Sequence, residues 1–161
     1  MHRTGLLLVV VVLSAPLLSA QGTATPKSKT TSSSSTTLHW GPAPPVFPKG
    51  AQMAVVSGDP GKAGQFVIEL SMPNGYKIAP HSHPTDEIVQ VKKGTFLVGM
   101  GDTFDVAKAN AMKVGAKGTV PAQMHHYAQA KGATIVSVTA VGPFAMTYVN
   151  PADDPQKPAV K

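Results

Sequence analysis

The feature that most narrows the fold is an apolar period of two. From Gln65 to Met72 the residues alternate without a break, Phe66, Ile68, Leu70 and Met72 on one side and Gln65, Val67, Glu69 and Ser71 on the other. Residues two apart on an extended chain share a face, so this segment reads as a strand with one buried side. Further short runs read as strands at Met53 to Ser57, Asp86 to Lys92, Thr95 to Met100, Thr119 to Ala130, Thr134 to Val141 and Pro143 to Asn150. Turn clusters such as Gly58-Asp59-Pro60-Gly61 and Pro73-Asn74-Gly75 separate them, and no segment carries a convincing helical period. Asp102 to Val114 resists assignment, its Val106 to Met112 fitting either a helical turn or an irregular loop. The expectation is an all-β barrel. The 161 residues show no internal repeat, which fits one domain with appendages, and a core of that size stands without disulfides in a chain with no cysteine.

The appendages lie mostly at the amino end. His2 and Arg3, the apolar run Gly5 to Leu13 and the small residues leading to Ala20 have the form of a signal peptide over residues 1–22. The run is shorter than the roughly 20 residues that span a bilayer, so stable membrane insertion is not expected. The chain is therefore expected to be exported, to a periplasm or outside the cell. Residues 23–37, rich in Ser and Thr, read as a linker, and the Pro-rich run Gly41 to Pro48 is too rigid for a helix or a central strand. The domain is placed at 38–155, with a tail at 156–161. With 14 Lys or Arg against 8 Asp or Glu, the charge is moderately basic, but the lysines are scattered and arginine is absent after Arg3. That distribution argues against nucleic-acid recognition.

Chemistry concentrates between Gly75 and Gly94. His81 and His83 stand two apart, so on a strand their Cα atoms lie about 6.6 Å apart on one face and their imidazoles can converge on an ion. Glu87 would sit about 20 Å from His81 on a straight strand, so a shared ion requires a fold-back, for which Pro84-Thr85-Asp86 is suitable turn chemistry. Glu87 also shares the apolar face of the next strand with Val89 and Val91, where a lone carboxylate would be costly to bury. The same alternation over Thr119 to Ala130 puts Val120, Ala122, Met124, His126, Ala128 and Ala130 inward and His125 and Tyr127 outward. His126 thereby becomes the fourth candidate metal ligand.

These residues resemble the cupin superfamily. Its first motif, G-x5-H-x-H-x3,4-E-x6-G, is met by Gly75, His81, His83, Glu87 and Gly94; its second, G-x5-P-x-G-x2-H-x3-N, is met by Gly115, Pro121 and His126. Gln123 stands where the second motif has glycine and Ala130 where it has asparagine. The resemblance implies an antiparallel jelly-roll β-barrel holding a metal through His81, His83, Glu87 and His126, and it implies a homodimer.

Three imidazoles and a carboxylate leave one or two positions open on an octahedral ion, and Fe, Cu, Ni, Mn, Zn and cobalt are all compatible with such donors. The leading expectation is a metal-dependent enzyme of oxygenase type acting on a small organic molecule. A non-catalytic protein that anchors a small ligand on the metal is the first alternative, and a sugar isomerase or epimerase the second. Met124, Phe144, Met146 and Tyr148 are the candidate pocket residues. Tyr148 and His125 are the candidate proton donors, although alternation places His125 outside.

Overall fold

A computed structural model describes residues 37–157. The predicted signal peptide, nearly all of the linker and the end of the tail lie outside the described residues. The strands are β1 (Gly41–Pro42), β2 (Gln52–Ser57), β3 (Gly64–Met72), β4 (Lys77–Ser82), β5 (Glu87–Met100), β6 (Asn110–Lys113), β7 (Lys117–Val120), β8 (His126–Gly142) and β9 (Thr147–Tyr148). The only helical elements among the described residues are single 3-10 turns at Val106–Lys108 and Pro151–Asp153. Hydrogen-bonded neighbours run β1-β2-β3-β8-β4-β9, while β5 pairs with β6, β7 and β8. Every pairing is antiparallel.

Two long strands make this arrangement. β5 has 14 residues and β8 has 17, and they pair along nearly their whole length. Gly94 at φ 75° and Gly132 at φ 79° bend them into two halves. The first half of β5 pairs with residues 135–139 of β8 and the second with 126–131. One side of the sandwich is therefore β7, the first half of β5, the far half of β8, β3, β2 and β1. The other is β6, the second half of β5, the near half of β8, β4 and β9. The extra residues at the bend also switch which positions of β5 face in, from Glu87, Val89 and Val91 to Phe96 and Val98. The core lies between the sides, with Phe66, Ile68, Leu70 and Met72 of β3 all buried as their alternation requires.

Several expected boundaries shift, for physical reasons. Asp86 to Lys92 and Thr95 to Met100 form one strand because Gly94 bends the chain without ending it, and Gly132 does the same within β8. Thr119 to Ala130 is two strands, broken by a turn after Pro121. Pro143 to Asn150 is mainly loop, with only Thr147–Tyr148 paired. The unreadable stretch after Met100 supplies a 3-10 turn and β6. Within the Pro-rich lead-in, Phe47 is buried, and Tyr148 and Tyr76 donate hydrogen bonds to the carbonyls of Val46 and Pro48 at 2.8 and 2.5 Å.

The bend at Gly94 has no room for a side chain. A Cβ there would lie 2.6 Å from both the Ala133 carbonyl oxygen and Thr134 Oγ1, whereas one at Gly75, also left-handed at φ 78°, would meet nothing within 4 Å. Gly94→Ala is expected to cost about 2–4 kcal/mol and Gly75→Ala about 1 kcal/mol, read by urea denaturation. Equal costs would show that the two positions are limited by backbone conformation alone.

Candidate metal centre

β4 carries His81, His83 follows one residue after its end, and the chain reverses so that Glu87 opens β5. The reversal is stitched to the turn between β7 and β8. Gln123 N–H donates to the His83 carbonyl and Ala122 N–H donates to Asp86 Oδ1, both at 2.8 Å. That turn delivers His126 to the start of β8, where it is the direct strand partner of His81. The three imidazoles are 2–5% exposed, and one ring nitrogen from each lies within 4.8 Å of the others. Glu87 Oε2 is 3.3 Å from His126 Nε2 and 3.7 Å from His83 Nε2. All four predicted ligands therefore meet.

Backbone carbonyls fix what these groups present to one another. Nδ1 of His81 faces the Ala79 carbonyl at 2.7 Å, that of His83 the Ala145 carbonyl at 2.8 Å, and that of His126 the Met124 carbonyl at 3.0 Å. A carbonyl only accepts, so each Nδ1 carries the proton and each neutral ring turns a bare Nε2 toward the centre. Those lone pairs share the space with a carboxylate oxygen, and His83 Nε2 is buried with no hydrogen-bond partner. Four acceptors facing one another repel unless a cation stands among them. The spacing suits an ion: ligands bonded at about 2.1 Å lie about 3.0 Å apart at right angles and about 3.4 Å apart in a tetrahedron. The donor set thus fits a divalent transition metal, which His81, His83, His126 and Glu87 would hold.

The electrostatics agree in sign. Burial pushes the His81 imidazole down to about 3, and a proton taken up by His126 or His83 would push the same way, so its metal-binding neutral form persists well into acid. Burial opposes ionisation of Glu87, but protons taken up by the imidazoles, which would let His126 donate to the carboxylate and place positive charge at all three rings, outweigh it and hold the carboxyl below its usual range. A metal ion among the rings would act on Glu87 in the same direction.

Beside the ligands lies a narrow cavity of about 30 Å³, room for one or two waters. His81, Glu87 and His126 are its polar lining; Ile68, Leu70, Val98, Phe144 and Met146 are among the apolar residues that complete it. Phe144 and Met146 are thus where their spacing suggested. Met124 and Tyr148 do not line the cavity. Gln123 takes a left-handed conformation at φ 62°, which breaks the alternation and turns Met124 outward, leaving it 44% exposed. Tyr148 lies tilted beside His81 at 6.0 Å between ring centroids while its hydroxyl is committed to the Val46 carbonyl. His125 points away from the centre as expected and pairs with Asp102 at 2.6 Å. Tyr127, expected outside, is buried, because residues 101–109 fold over that face and its hydroxyl donates to the Asp105 carbonyl at 2.7 Å. Gly99 leaves the space its ring occupies. A tyrosine among polar outward residues was the one available signal.

With this geometry in place, solved structures offer a comparison. A cupin 2 conserved barrel domain protein from Rhodopseudomonas palustris is similar over 73% of this chain and 80% of its own, at 14% identity and a TM-score of 0.56. A cupin-2 domain protein from Rhodospirillum rubrum matches over 72% of this chain and 78% of its own, at 14% identity and a TM-score of 0.56. This chain has the cupin fold. The DMSP lyase DddQ from Ruegeria pomeroyi is similar at 18% identity and a TM-score of 0.50, over 60% of this chain and 50% of its own. No protein-family model and no curated protein matches the sequence. The cupin turn that normally holds glycine is kept here by Gln123 in the conformation glycine favours.

Three outcomes follow from this geometry. His126→Ala should lose most of the bound metal, read by elemental mass spectrometry, while His125→Ala keeps it; the reverse would overturn the assignment of faces. Gln123→Gly should raise stability by about 0.5–1 kcal/mol in urea denaturation by relieving the left-handed strain, and a loss would mean the glutamine side chain holds the turn. For metal-free protein, the folded pKa of His81 lies below its unfolded value. Its contribution is therefore complete above pH 6.5 and is lost as pH falls from there toward about 3, where the unfolded chain takes up a proton the folded one refuses. The denaturation midpoint of chelated wild type should accordingly fall relative to that of chelated His81→Phe as pH drops from about 7 toward about 4, and parallel pH profiles would contradict the shift.

Proposed function

We propose that the protein is a metal-dependent cupin enzyme of oxygenase type acting on a small organic molecule. The observation that carries the reading is the contrast inside the cavity: a converging set of metal donors set in an otherwise apolar wall. Among the described residues that line it, Glu87 is the sole carboxylate, and it belongs to the ligand set. An isomerase or epimerase would need a further base positioned over its substrate, which this lining does not offer. When bound, the ion would supply Lewis-acid and redox chemistry at its open positions.

The chain's own residues have the supporting tasks. The carbonyls of Ala79, Ala145 and Met124 orient the imidazoles, and Glu87 supplies the negative charge that lowers the net charge of the centre. Val98, Phe144 and Met146 keep bulk water from the reacting atoms. The ion is proposed to be iron, copper, nickel or manganese, with zinc the choice that would favour a non-catalytic role. Export remains part of the proposal, resting on the amino-terminal sequence, and a homodimer rests on the family resemblance alone.

The test is metal content of the mature protein purified after export, without chelators or added metal, followed by oxygen-electrode assays with phenols and enols. About one redox-active ion per chain, with oxygen uptake that disappears in His83→Ala, is the expected result. A ligand that raises the melting temperature without being consumed would instead identify a binding protein.

A further inference from the structure

The cavity at the metal centre is too small for an organic substrate, yet a larger chamber shares its wall. β6 and β7 both pair with the same edge of β5, one on each side of the Gly94 bend, and leave a gap between them. In that gap lies a space of about 230 Å³. Val89, Val98 and Val120 line both spaces, so three valine side chains form the partition. Val120 is also the direct strand partner of Glu87, which places the chamber one residue from the ligand set.

We propose that this chamber is the substrate-binding subsite, and that it takes a neutral molecule with a single aromatic ring and one hydroxyl, a simple phenol. The proposal rests on the oxygenase reading for its chemistry and on the chamber for its specificity. Its inner surface comes from Val89, Val98, Met100, Met112 and Val120, with Asn110 at the rim. Strand pairing settles the facing: Asn110 is opposite Val98 and Met112 opposite Phe96, on the inward face of β5. Lys117 and Thr119 border the chamber but alternate with the buried Val120 and therefore project from the other face of β7. No charge then points inward, which disfavours an ionised ligand, and the Asn110 amide offers one hydrogen-bonding partner. The space is half open to solvent, and its volume of about 230 Å³ exceeds the roughly 150 Å³ of a closed apolar cavity that admits benzene, so a substituted ring can enter from outside. Thioether side chains at Met100 and Met112 are flexible and polarisable enough to close on a ring.

Gly118 provides the control. It sits in the inward register of β7 beside Val120, and an added Cβ would approach only the end of Met112, at 3.4 Å. Gly118→Val should therefore fill the chamber while leaving the fold and the ligand set in place. Phenol is titrated into the metal-loaded mature protein with methyl-labelled valine and methionine, and benzoate serves as the charged counterpart. Phenol is expected to shift the methyl signals of Val89, Val98, Val120, Met100 and Met112, to bind at least tenfold more tightly than benzoate, and to lose about tenfold in affinity in Gly118→Val at unchanged metal content. Unchanged phenol affinity in Gly118→Val, preferred binding of benzoate, or shifts confined to Met146 and Met53 would overturn the assignment. Repeating the titration on chelated protein separates the two readings. Phenol binding that survives in the chamber supports the subsite even if oxygen uptake fails, and a metal-loaded protein whose oxygen uptake with phenol is untouched by Gly118→Val contradicts it.

Discussion

The structure turns on a buried repulsion. Three imidazole lone pairs and a carboxylate oxygen are aimed at one small volume, and each ring is locked in that orientation by a carbonyl that accepts its Nδ1 proton. Without a cation these acceptors repel; a bound ion would tie together β4, β5 and β8. The ligands come from strand ends and the turns beside them, where the backbone can supply carbonyls that are not used in the sheet ladder.

The rest of the fold serves to bring those strand ends together. His81 and His83 are near neighbours in sequence, but His126 lies far along the chain, and it reaches them because β8 runs antiparallel to β4 with His126 opposite His81. The bends at Gly94 and Gly132 let the same two strands build both sides of the sandwich, with Thr134 Oγ1 held between the carbonyls of Thr95 and Gly132 at 3.1 Å each. One side presents Glu87 and the other His81 and His126, so the bend sets the distance across the centre. The narrow cavity, the apolar wall and the open gap between β6 and β7 are consequences of the same curvature.

Much of this was legible in the sequence because the relevant signal was local. The strict alternation at Phe66, Ile68, Leu70 and Met72 fixed a strand and its buried face, and the His81, His83 and Glu87 spacing forced a reversal that the structure contains. His126 was assigned to the interior by parity, and it is there, although the strand assumed for that parity is broken. The turn at Pro121 to Met124 consumes an even number of residues, so the faces of Val120 and His126 survive while Met124 is lost. Elsewhere the sequence was silent for identifiable reasons. A glycine marks a turn and an in-strand bend alike, so β5 and β8 read as pairs of strands. Tyr127 is covered by a segment with no periodicity of its own, and nothing local announces that. The second chamber arises from a gap between two strands that are distant along β5, a property of topology alone.

The most direct test of the central claim is a crystal structure of the metal-loaded protein with anomalous diffraction collected at the metal edge. The account predicts a single anomalous peak within bonding distance, about 2.0–2.3 Å, of Nε2 of His81, His83 and His126 and of a Glu87 oxygen, with every Nδ1 still directed at its carbonyl. An ion bound through Nδ1, one held by His125 and Asp102 instead, or a centre that stays empty while Glu87 and His126 share a proton would contradict it.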